Sequence, residues 1–162
     1  MTALYMQEKR MYLISTCKRL VLVYTVVLVA FASAASENPG EGLVFFDKNK
    51  TIVTPEARKI VEDVARIALR NPEYRVEITG HDDAVLPEVQ SLILSQERAG
   101  ETARLLVEYG VPADRILVGG VGSKDPLVAT PKGVSEPMNR YVGINFVPIA
   151  EKKTNNYLQP FK

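Results

Sequence analysis

The sequence predicts an α/β domain, a two-layer α+β sandwich in which two helices cover one mixed sheet. Segments of period-two hydrophobicity alternate along the chain with segments of helical period. The strand segments themselves alternate apolar and polar residues, so the sheet's second face is expected to be partly wet, giving two layers rather than three. No internal repeat or heptad run interrupts this order.

Residues 35–42 read as a short polar linker with Pro39 and Gly40. Residues 43–46 form the first strand. Thr54 caps the first helix, and Pro55 stands in its first turn, where a missing N–H costs nothing. Ala57, Ile60, Val61, Val64 and Ala68 recur at helical spacing and predict the buried stripe. Asn71-Pro72 ends this helix, because the residue before proline avoids the α region. Tyr74, Val76 and Ile78 then alternate with Arg75, Glu77 and Thr79, the pattern of a strand with one buried face. That strand stops at Gly80 and delivers His81, Asp82 and Asp83 into a loop. A second helix runs from about Pro87, with Leu92, Ala99, Ala103 and Leu106 on one side and Gly110 as its C-cap. Residues 116–118 form a short third strand. Residues 140–147 form the last one, with Val142, Ile144 and Phe146 on one face. Residues 119–138 hold four glycines and three prolines, and a connection this long is usually functional or disordered. Residues 148–162 lose all periodicity and read as a flexible tail.

Residues 1–34 read as a secretory signal peptide. Lys9, Arg10, Lys18 and Arg19 precede an apolar core at residues 20–32, and Ala32-Ser33-Ala34 has the small-x-small form of a cleavage site. Cleavage is expected between Ala34 and Ala35, with Met6 and Met11 as alternative starts. An uncleaved membrane anchor is the competing reading, although 13 apolar-leaning residues fall short of the ~20 that span a bilayer. The only cysteine, Cys17, precedes the core and would leave with the signal. A lipoprotein signal needs its cysteine directly after the core, where none stands. Of 20 basic and 19 acidic residues, four basic ones and Glu8 fall within residues 1–34, leaving 16 against 18. That balance, without any basic stripe, argues against nucleic acid as a partner.

The residues that could carry chemistry gather around the loop after the second strand. His81 is the only histidine in the chain, which excludes two-histidine metal sites; neither metal nor cofactor is expected. Asp82 and Asp83 resemble a carboxylate pair for acid–base work, but neighbours on an extended loop point apart. There is no G-x-S-x-G, no Walker loop and no dinucleotide fingerprint, so an enzyme lacks a nucleophile–base pair to stand on. Composition alone would pair Arg98 with Glu101 on an exposed helix face. A strand end and the helix folding back beside it can instead present Asp83 and Arg98 to one small space. Such a pair suits a zwitterion, one arm taking an ammonium and the other a carboxylate.

Five blocks in register resemble the OmpA-like domain. Gly80-His81-Asp82-Asp83 resembles its G-H-T-D loop, and Leu94-Ser95-Gln96-Glu97-Arg98-Ala99 its L-S-x-x-R-A helix. Val44-Phe45-Phe46-Asp47 with Thr54-Pro55-Glu56-Ala57 resembles the opening strand and helix. Val111-Pro112-Ala113-Asp114-Arg115-Ile116 with residues 120–126 resembles the third strand and its loop, and Asn139-Arg140-Tyr141-Val142 the closing N-R-R-V. The match covers residues 43–147. Departures are Asp82 for threonine, Leu86 for glycine, Ser91 for asparagine and Tyr141 for the second arginine.

The resemblance implies a β-α-β-α-β-β order with both helices on one side. It also implies a non-enzymatic module that binds diaminopimelate-type stem peptides of peptidoglycan in a Gram-negative periplasm, near the outer membrane and other envelope proteins. Asp83 would face the ligand ammonium and Arg98 its carboxylate, with Arg140, Asp47, Asn139 and Ser91 in support. Gly80 and His81 would shape the loop. Asp82 is expected to matter much less than Asp83. The fold is expected to survive truncation of Asp82, Asp83 or Arg98, since none is predicted to fill the core. A hydrolase using the His81, Asp82 and Asp83 loop is a weaker alternative, as is an ion-conducting stator subunit, because residues 20–32 carry no acid.

Overall fold

The computed structural model describes residues 39–151 and 156–161; the expected signal peptide at 1–34 lies outside them. The elements are β1 (Glu41–Phe45), α1 (Pro55–Arg70), β2 (Tyr74–Gly80), α2 (Glu88–Glu108), β3 (Ile116–Gly120), β4 (Tyr141–Pro148) and β5 (Gln159–Pro160). The sheet order is β1-β4-β2-β3-β5. β2 and β3 pair in parallel, while the other three pairings are antiparallel. One apolar core joins both helices to the sheet, with Val44, Val76, Ile78, Ile116, Val142 and Ile144 beneath them. The predicted two-layer α+β arrangement is the one observed.

The sequence signals at the ends of α1 act as expected. The Ala57 N–H donates to Thr54 Oγ1 at 3.3 Å, and Pro55 opens the helix. Its buried stripe is Ala57, Val61, Val64, Ala65 and Ala68, whereas Ile60 is 40% exposed. On an ideal helix Ile60 points about 90° from that stripe's centre, so Ala65 takes its place. Arg115 ties the far end of α1 to β2, donating from Nε to Tyr74 O at 3.0 Å and from Nη2 to Asn71 O at 2.7 Å. At the end of α2, Gly110 adopts φ 96° and lets the Val111 N–H reach Leu106 O at 3.0 Å.

Helix α2 departs further from its apolar pattern. Leu92 is exposed together with Val89 and Ile93, while Ser91, Ser95, Arg98 and Thr102 are buried beside Ala99 and Ala103. Small residues explain the inversion. A Cβ on Gly80 would lie 1.9 Å from Ser95 O, and one on Gly120 would lie 2.5 Å from the Gln96 N. The ends of β2 and β3 thus touch the α2 backbone, which leaves no room there for large apolar side chains.

Two boundaries need correction. The strand begins at Glu41, so the linker is shorter than residues 35–42. Residues 156–161 are no loose tail: Gln159 and Pro160 pair with β3, Leu158 is buried, and the Phe161 N–H donates to Ile116 O at 3.0 Å. Two apolar anchors with one open sheet edge are enough to hold so short a strand. The second sheet face is wet only in part, because Glu77 and Thr79 are buried there. Arg75 bonds Glu77 at 2.9 Å and donates to Glu151 O at 2.8 Å, so the segment after β4 crosses this face.

Candidate ligand-binding site

Tight contact between α2 and the end of β2 places Arg98 against the 81–83 loop. Arg98 is 0% exposed and, among the described residues, the largest fully buried side chain. Its Nη1 donates to Asp82 Oδ1 at 2.8 Å and to His81 O at 3.0 Å. Its Nε donates to Lys50 O at 2.9 Å, and its Nη2 to Asp47 O at 3.3 Å. The guanidinium carbon also lies 5.4 Å from the centre of the Phe46 ring, within cation–π range. Burial pulls the Arg98 pKa below its ordinary value, and the bond to Asp82 opposes that pull.

A second ion pair lies beside the first. Arg140 Nη1 donates to Asp83 Oδ2 at 3.0 Å, and its Nε donates to Phe46 O at 3.2 Å. Ser135 Oγ also donates to Asp83 Oδ2, at 2.9 Å. Adjacent loop residues do point apart, each carboxylate finding its own arginine. Asp82, expected to matter less than Asp83, is the direct partner of Arg98. One expectation fails here: Arg98 fills core space, so its truncation would strike the fold. Glu101 pairs with Arg104 instead of Arg98.

The remaining candidates surround these pairs. Asp47 enters through its carbonyl. Asn139 braces the long loop, donating from Nδ2 to Val128 O at 2.8 Å and accepting the Val128 N–H at Oδ1, also at 2.8 Å. The Gly133 N–H donates to Ala84 O at 2.8 Å, so the predicted long connection is folded down onto the site. Ser91 makes no hydrogen bond to either pair, and its buried Oγ has no hydrogen-bond partner. Ser135 and Lys50 escape sequence reasoning altogether, since each takes part from an irregular segment with no periodicity to mark it. Beside Ala84 opens a cleft of about 270 Å³, lined by Leu86, Leu92, Val121, Lys124 and Lys132 among others.

His81 holds the loop's shape. Its ring stacks on Tyr141 at 4.1 Å and 5°, and Nδ1 lies 3.1 Å from Lys124 O. The carbonyl can only accept, so Nδ1 carries the proton. Burial pushes the His81 pKa below its ordinary value, more than the Lys124 bond and Asp125 raise it. The folded state therefore binds fewer protons than the unfolded one. Stability is fully present above about pH 6.5 and is lost as pH falls from there through the folded value. Thermal melts between about pH 7 and pH 5 are expected to show this slope, and His81→Asn should flatten it.

The sequence profile of the OmpA family matches residues 45–140. This chain belongs to the OmpA family. Its OmpA domain is 36% identical over 108 residues to the "Outer membrane protein" of Gluconacetobacter diazotrophicus, covering 63% of this chain and 29% of that protein. It is 28% identical over 97 residues to the "Peptidoglycan-associated lipoprotein" of Brucella melitensis, covering 60% of this chain and 58% of that protein. The chain thus spans well under two thirds of these relatives. The crystal structure of the peptidoglycan-associated lipoprotein from Burkholderia pseudomallei superposes with a TM-score of 0.62 at 22% identity, covering 65% of this chain and 90% of that one. At that identity the likeness is one of fold. Among the described residues, no helix is long and apolar enough to cross a membrane.

Proposed function

We propose that this OmpA domain binds the peptide stems of peptidoglycan non-covalently and anchors an envelope protein or complex to the cell wall. The observation that carries the reading is the pair of buried carboxylate–guanidinium couples where β2, α2 and the long loop meet. Relatives named for peptidoglycan association support it. The ligand is the diaminopimelate side-chain end, whose ammonium goes to Asp83 and whose carboxyl end, free or amide-capped, goes to Arg98. Arg140 and Ser135 hold Asp83 in place, Asp47 and Asn139 brace the surroundings, Ser91 backs the α2 side, and Gly80 and His81 set the loop. The cleft beside Ala84 has room for the rest of the stem. The module is not an enzyme, and it works in the periplasm, near the outer membrane, after export by residues 1–34.

Co-sedimentation with purified sacculi tests this reading. The protein is expected to pellet at moderate salt and leave the wall intact; release of soluble muropeptides would point to the hydrolase instead, and protein left in the supernatant would remove the anchoring reading. Truncating one partner of a desolvated charge pair costs ~2–5 kcal/mol, at ~1.4 kcal/mol per tenfold. Asp83→Ala is therefore expected to weaken binding by at least roughly thirtyfold. Arg140 keeps its bonds to Phe46 O and Ser135 Oγ, which limits the loss of stability in that variant, and a thermal melt checks that it is folded under the binding conditions.

A further inference from the structure

We propose that Asp82 sets the charge this site accepts, disfavouring a ligand with a free carboxylate at Arg98 relative to the same ligand with that acid capped as an amide. The proposal rests on the stem-peptide reading above and adds which form of the stem is preferred.

A guanidinium has five N–H donors. In Arg98 four of them meet Asp82 Oδ1 and the carbonyls of Lys50, His81 and Asp47, all supplied by the chain itself. The one carboxylate on Arg98 is thus internal, and a ligand carboxylate must evict it. The internal group has the advantage of proximity, since a tethered partner acts at an effective concentration set by its tether. Once displaced, Asp82 would remain as a like charge beside the newcomer, which opposes the exchange.

The other Asp82 oxygen points the same way. Oδ2 is buried and has no hydrogen-bond partner. A bare carboxylate oxygen calls for an N–H, which an ammonium or a carboxamide supplies and a carboxylate does not. Asp83 offers no competing vacancy at Oδ2, where Arg140 and Ser135 both donate. Each arginine already has its acid, so the spare capacity of the site is for donors. Asp82 is only 2% exposed, so either ligand enters through a local opening of the loop.

Two synthetic stem peptides test the proposal: one ending in meso-diaminopimelate, the other identical but with the side-chain-end carboxylate as a carboxamide. Isothermal titration of the full chain gives the ratio of their affinities, in which any loss of folded protein cancels. The wild type is expected to bind the amide at least as tightly as the acid. Asp82→Thr, which vacates Arg98, should shift the ratio toward the acid by about tenfold or more, roughly 1.4 kcal/mol. Asp82→Asn removes the charge while keeping the shape; it should shift the ratio in the same direction and serves where threonine is not tolerated. An unshifted ratio in a variant that still binds overturns the proposal and leaves the stem-peptide reading standing. Failure of the wild type to bind either peptide or sacculi overturns both.

Discussion

Arg98→Ala is expected to unfold much of this domain's stability margin as well as abolish ligand binding. The substitution removes the side chain that joins Lys50, His81, Asp82 and Asp47, and it strands the Asp82 carboxylate in a buried setting. Breaking a buried ion pair from one side costs about 3–5 kcal/mol, a large share of the ~5–15 kcal/mol that holds an ordinary domain together. Differential scanning calorimetry should show the melting temperature falling by more than about 10 °C. Arg98→Met combined with Asp82→Ala should recover part of the loss, because no charge is then left unpaired. A single Arg98→Ala variant that melts like the wild type would show that the pair is solvated and that the site has been misread. The contrast with Asp83→Ala is one of degree: Arg140 is left with Phe46 O and Ser135 Oγ as acceptors, so that variant should lose binding with a smaller loss of stability than Arg98→Ala.

Gly80→Ala ranks next. The added methyl would stand 1.9 Å from Ser95 O and 2.7 Å from Ser95 C, both backbone atoms of a long helix. No side chain can rotate away to relieve this, so α2 must lift from the end of β2. Overpacking typically costs about 1–3 kcal/mol, and a clash with backbone belongs at or above the top of that range. The displacement would also widen the gap between Arg98 and Asp82, so binding should fall even in protein that remains folded. Gly100→Ala is the matching control, since a Cβ there meets nothing within 4 Å and the position lies within α2. Equal melting temperatures for the two variants would contradict the close packing.

The strands and α1 were legible because their apolar residues face one core and follow one period. Val142, Ile144 and Phe146 needed no tertiary knowledge to place. The first half of α2 was illegible for the opposite reason. Its inward face is Ser91, Ser95 and Arg98, chosen by how closely two glycines let the sheet approach, a distance no single-chain pattern encodes. The site divides similarly. Motif and spacing placed Asp83, Arg98 and Arg140 in one neighbourhood, but which acid meets which arginine depends on the rotation of two adjacent loop residues. β5 was hidden because a two-residue strand has no period to detect; only the pairing with β3 reveals it.

The strand order also bears on when the domain can fold. Among the described residues, β1 pairs only with β4, and β3 gains its outer neighbour only from β5. A chain emerging amino end first, from a ribosome or through a narrow pore, would release β1 long before its partner arrives. Contacts this distant in sequence form slowly. The four longer strands therefore cannot all pair until β4, Tyr141–Pro148, is free, and the sheet's central antiparallel pairings come late in the emergence of the domain.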